Sequence, residues 1–96
     1  MPSRNIVKPG SLKSGDRIAT AIGTLIVRGE PISDFVPEDP QWDRIFVDVE
    51  VEKPDSFGDP DRLPAVTGAS EFQLLGPMPL RYRLGFRPDV DVKATR

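Results

Sequence analysis

The sequence predicts an all-β fold, a small and partly open barrel of about five to six short strands joined by long proline-rich loops. Three observations carry this. There are 11 prolines in 96 residues, about twice the usual share of roughly 5%, and they leave little room for helices. Two segments, 45–52 and 80–86, alternate apolar and polar residues with the period of two that a half-buried strand requires. Between them and the other β-branched runs stand dense clusters of Gly, Pro, Asp and Ser, which supply turn chemistry.

Residues 1–10 read as an N-terminal arm. Met1-Pro2-Ser3-Arg4-Asn5-Ile6-Val7 contains no apolar run of signal-peptide length, and no stretch of the chain approaches the roughly 18 apolar residues of a membrane span. The expected location is cytoplasmic. The barrel domain then covers 11–87. It opens with Leu12-Lys13-Ser14-Gly15-Asp16-Arg17-Ile18, a turn feeding a first strand at Arg17–Ala21. Ile22-Gly23 turns or bulges the chain into a second strand, Thr24–Arg28, and the two form a hairpin.

From Ile32 to Gln41 the chain carries Pro37 and Pro40 among Asp34, Glu38 and Asp39, the composition of an exposed acidic loop between strands. Trp42 precedes the clearest strand, with Ile45, Val47, Val49 and Val51 on one face and Phe46, Asp48, Glu50 and Glu52 on the other. Lys53 to Asp61 breaks it, and Leu63–Thr67 is expected to resume pairing before Gly68. Glu71–Leu75 forms a short strand ended by Gly76-Pro77-Met78-Pro79. In the next, Leu80–Phe86, Leu80, Tyr82, Leu84 and Phe86 share one face, while Arg81, Arg83 and Arg87 share the other. Residues 88–96 read as a tail that either adds a last edge strand through Val90 and Val92 or stays loose.

The segment Leu12 to Ile18 followed by Gly23-Thr24, together with Glu71-Phe72-Gln73-Leu74-Leu75-Gly76, resembles the opening and closing strands of SH3-like barrels. The resemblance spans about two-thirds of the chain; it implies architecture and, more weakly, a ligand-binding role. The sequence departs from peptide-binding SH3 domains in lacking their clustered aromatic groove, since Tyr82 is the only tyrosine and Trp42 the only tryptophan. That departure argues against proline-peptide recognition.

Composition excludes most chemistry. With no Cys and no His the chain has no disulfide, thiolate nucleophile, imidazole base or zinc site of the usual ligand types. Its serines therefore lack a histidine base, no Ser-x-x-Lys arrangement is present, and no Gly-rich loop ends in Lys and Ser/Thr to cradle phosphate. Glu50-Val51-Glu52-Lys53 places Val51 where a metal-dependent nuclease strand needs an acid. Asp55, Asp59 and Asp61 could gather a hard cation, but their spacing is not that of an EF-hand and no Glu closes the loop, so a solvated turn is expected. The expectation is a protein that is no enzyme, with no cofactor and no metal.

Charge is segregated along the chain. Residues 34–61 are strongly acidic, and the flanking segments 1–33 and 62–96 carry a basic excess within a formal net charge of -2. Arg81, Arg83 and Arg87 could grip phosphates or a partner's carboxylates. Alternatively they pair with Asp48, Glu50 and Glu52 if the two strands are neighbours. Trp42, and Phe35 with Val36 in the acidic loop, are candidate anchors for a partner, weighed against packing back onto the barrel. The reading is a non-enzymatic protein–protein interaction module, an accessory factor of phage or bacterial type that binds and modulates a cellular protein. Its partner-binding residues are Phe35, Val36, Trp42, Asp48, Glu50, Glu52, Arg81, Arg83 and Arg87. The alternative is a nucleic-acid-associated or structural assembly subunit using the basic strand face. That reading needs the arginines to converge away from the acidic strand, and the acidic middle of the chain opposes it. Self-association through the Val90–Val92 tail is a third reading.

Overall fold

Eight strands form one open antiparallel sheet in the computed structural model, which describes residues 4–95. They are β1 (Arg4–Val7), β2 (Arg17–Thr20), β3 (Gly23–Val27), β4 (Ile32–Asp34), β5 (Arg44–Val51), β6 (Glu71–Pro77), β7 (Leu80–Phe86) and β8 (Val92–Thr95). Their order is β1-β8-β2-β3-β5-β7-β6, and β4 pairs with β5 off this path. The all-β class is as expected, with eight strands where about five to six were foreseen.

β5 is the spine of the sheet. Its C-terminal half pairs with β3, Leu25 opposite Val51 and Val27 opposite Val49, and its N-terminal half pairs with β4, Ile32 opposite Phe46 and Asp34 opposite Arg44. The other edge pairs with β7 along most of its length. Alternation fixes which side faces the core: Ile45, Val47, Val49 and Val51 are buried, while Arg44, Phe46, Asp48 and Glu50 are half-buried on the outer face. Tyr82, Leu84 and Phe86 of β7 join them, with Leu25, Val27, Ile18, Leu12 and Leu63. Each such side chain, once fully buried, contributes about 1.5–3 kcal/mol. Phe57 packs inward as well, its ring centroid 6.0 Å from that of Tyr82.

The prolines shape the loops as well as excluding helices. Single 3₁₀ turns begin at Pro9, Pro40, Pro54 and Pro60, where the fixed proline φ suits a first turn and the missing N–H is not needed. Among the described residues no helix is long and apolar enough to cross a membrane.

Three elements differ from expectation. Leu63–Thr67 is a short helix, α1, rather than a resumed strand. Pro64 suits its first turn, Gly68 ends it with φ at +86°, and Leu63 is buried beneath it. Thr67 closes the end by donating its hydroxyl to the Leu63 carbonyl (2.6 Å) and accepting the Ala69 N–H (3.1 Å). The acidic excursion begins with a short strand, β4, paired to β5. The C-terminal segment is neither loose nor an edge: β8 lies between β1 and β2, with Val92 and Ala94 buried. Its partner β1 comes from the segment read as an arm, pairing Arg4 with Thr95 through Val7 with Val92. β8 thus has β1 along one side and meets β2 on the other through Arg17 opposite Thr95, so it is not the outer edge of the sheet.

Candidate partner-binding site

The β4–β5 connection, residues 35–43, is tied by hydrogen bonds from its own backbone and side chains. The Val36 N–H donates to Asp43 Oδ1 (2.7 Å), the Asp39 N–H to the Val36 carbonyl (3.0 Å) and the Trp42 N–H to the Asp39 carbonyl (3.0 Å). Arg44, the first residue of β5, secures the base. Its Nη1 donates to the carbonyls of Gln41 (3.1 Å) and Asp43 (2.8 Å), its Nε meets Glu71 Oε1 at 3.0 Å, and its Cζ lies 5.9 Å from the centroid of the Trp42 ring. A short Pro-containing segment is thus given one shape by hydrogen bonds, without a core of its own.

On this frame two aromatic rings face water. Phe35 is 56% exposed and Trp42 58% exposed, large values for residues of this size. Neither joins the hydrophobic core, and Val36 beside Phe35 is half-buried. Around them stand Asp34 and Glu38, both exposed, and the half-buried Asp39 and Asp43. Arg87 arrives from the end of β7 and shares a shallow depression with Pro40, Gln41, Asp43, Pro88 and Asp89. Phe35, Val36, Trp42 and Arg87 therefore belong to one end of the molecule.

The other singled-out residues lie elsewhere, on the outer face of the sheet, where each of the three acids has a basic partner. Asp48 stands opposite Arg83 in the β5–β7 register and takes two hydrogen bonds from it, Nε to Oδ1 at 2.7 Å and Nη2 to Oδ2 at 3.1 Å. The hydrogen bond and the negative charge of Asp48 push the Arg83 pKa above its ordinary value. Glu52 pairs with Arg17 (2.7 Å) and Glu50 with Arg28 (3.6 Å), so the acidic row faces basic residues from strands on both sides. Arg81 is opposite Glu50 in register, yet the ion pair of Glu50 goes to Arg28; Arg81 sits near the β6–β7 turn instead.

Arg44 and Asp43, which shape the loop, were not singled out by sequence; nothing in their spacing marks a residue that caps a loop from its own end. The acidic turn is closed by Asp59 Oδ1 accepting the Asp61 N–H (3.0 Å), and among the described residues no group of three or more metal-ligand side chains converges. No protein-family model, curated protein or solved structure matches the chain.

Proposed function

We propose that this chain is a non-enzymatic interaction module that binds a protein partner through the 35–43 loop, with Phe35 and Trp42 as anchors. The observation that carries the reading is the exposure of both rings on a loop already fixed in shape. A preorganised loop loses little conformational entropy on binding, and exposed aromatic side chains are the usual centres of binding energy. The acidic rim suits a partner whose contact surface is basic and contains an apolar pocket. An SH3-like architecture, a cytoplasmic setting and an accessory role in a phage or bacterial system belong to the same proposal. The ion pairs of Arg17, Arg28 and Arg83 weigh against nucleic acid as the partner, because phosphates would have to displace carboxylates already in place.

The test is recovery of partners by the tagged protein from its native lysate, with and without nuclease, compared with Phe35→Ala and Trp42→Ala. Each substitution is expected to reduce capture of a stoichiometric protein about tenfold or more, while shifting stability by no more than about 0.5 kcal/mol. A partner lost with nuclease, or capture indifferent to both substitutions, overturns the reading.

A further inference from the structure

We infer that β6 is a docking edge for a second copy of this chain, pairing antiparallel across a two-fold axis at Gln73. β6 ends the sheet and is paired only on its β7 side among the described residues. Open edges invite pairing, and proteins blunt them with short strands, charges and prolines. The other free edges of this sheet are blunted in that way. β4 is three residues long between Pro31 and Pro37, and β1 is four residues long ahead of Lys8 and Pro9. β6 has seven residues, Glu71-Phe72-Gln73-Leu74-Leu75-Gly76-Pro77, with no Lys or Arg and a proline only as its last residue.

The edge is complementary to itself. With Gln73 facing Gln73 of the other copy, Phe72 falls opposite Leu74 twice, both on the core side of the sheet. Leu74 is 52% exposed in the single chain, and Phe72 is half-buried with its ring centroid 6.0 Å from Tyr82. Pairing would therefore continue the apolar layer across the axis. Charge agrees. Glu71 comes opposite Leu75, one residue from Gly76, where Arg81 Nη2 lies 3.3 Å from the position a Cβ would take. Arg81 has no ion pair among the described residues, so each Glu71, already held by Arg44, meets the other copy's unpaired guanidinium. The two Glu71 side chains stay at opposite ends of the paired segment. The bulge between Leu74 and Gly76 limits the pairing to about five residues, so the dimer is expected to be weak and concentration-dependent.

Because the chain has no cysteine, the axis can be read directly with Gln73→Cys, which places two thiols opposite each other, and Ser33→Cys on exposed β4 serves as the control. Under mild oxidation Q73C is expected to form covalent dimer about tenfold or more faster than S33C, a rate ratio that Leu74→Lys, added to Q73C, removes. Sedimentation of the unmodified chain should rise toward twice the monomer mass by about 1 mM. Equal crosslinking rates, a monomer at every concentration, or masses growing beyond the dimer overturn the inference. Circular dichroism of each variant confirms that the fold is retained.

Discussion

Asp16 is the only charged side chain buried among the described residues, and it is spent on a turn. Its Oδ2 accepts the Lys13 N–H (2.9 Å), and its own carbonyl accepts the Val27 N–H (2.8 Å), which locks the start of β2 onto β3. Gly15 beside it has φ at +96°, a conformation that a side chain would strain. Asp16→Ala is expected to cost about 1–3 kcal/mol in urea unfolding, with Asp16→Asn milder because its amide oxygen still accepts. Tyr82 offers a second test. Burial first, and the charge of Asp61 second, raise its pKa above the ordinary 10.0. The folded state thus favours the neutral phenol, so this contribution is intact below pH 10.0 and is lost as pH rises through the raised value. Relative to Tyr82→Phe, the native chain should lose stability between about pH 9 and pH 11; parallel losses in the two would refute the assignment.

At the scale of elements, β5 and β7 were legible because alternation, strict in β5 and kept in β7 up to Gly85, leaves only one apolar face to bury. The same alternation, with acids on one strand and arginines on the other, made the Asp48–Arg83 pair foreseeable. It could not show that Glu50 turns to Arg28, since that depends on β3 lying along the opposite edge. β4 was read as loop because three residues, all exposed, carry no period. α1 was misread because five residues containing Val66 and Thr67 favour strand by composition, while the real signal was punctuation: Pro64 at the start and Gly68 at the end. Both partners of the Asp48–Arg83 pair are about one-third exposed, so its net worth is modest despite the two bonds. A double-mutant cycle with Asp48→Asn and Arg83→Gln should give a coupling of about 0.2–1 kcal/mol that shrinks at high salt. A coupling that salt leaves unchanged would mean the pair is more shielded than its exposure implies.

At the scale of the molecule, topology decided what local pattern could not. The aromatic residues of the 35–43 loop were visible in the sequence, but their exposure rests on Asp43 and Arg44 fixing the loop away from the core. The two ends of the described chain meet in the β1–β8 ribbon, tied to the rest of the sheet by the Arg17–Thr95 pairing and by Val92 and Ala94 in the core. Deleting 88–96 should therefore also release β1, and cost several kcal/mol rather than the small amount expected for a loose tail. Thermal unfolding of the truncated chain measures this. An unchanged midpoint would contradict the central position of β8.

That position also sets an order of events during synthesis. Among the described strands β1 is the first in chain order, and the strand it pairs with, β8, is the last. The native pairing of Arg4–Val7 is therefore the most non-local in the sheet, and it cannot form until β8 has been synthesised, after β2 to β7.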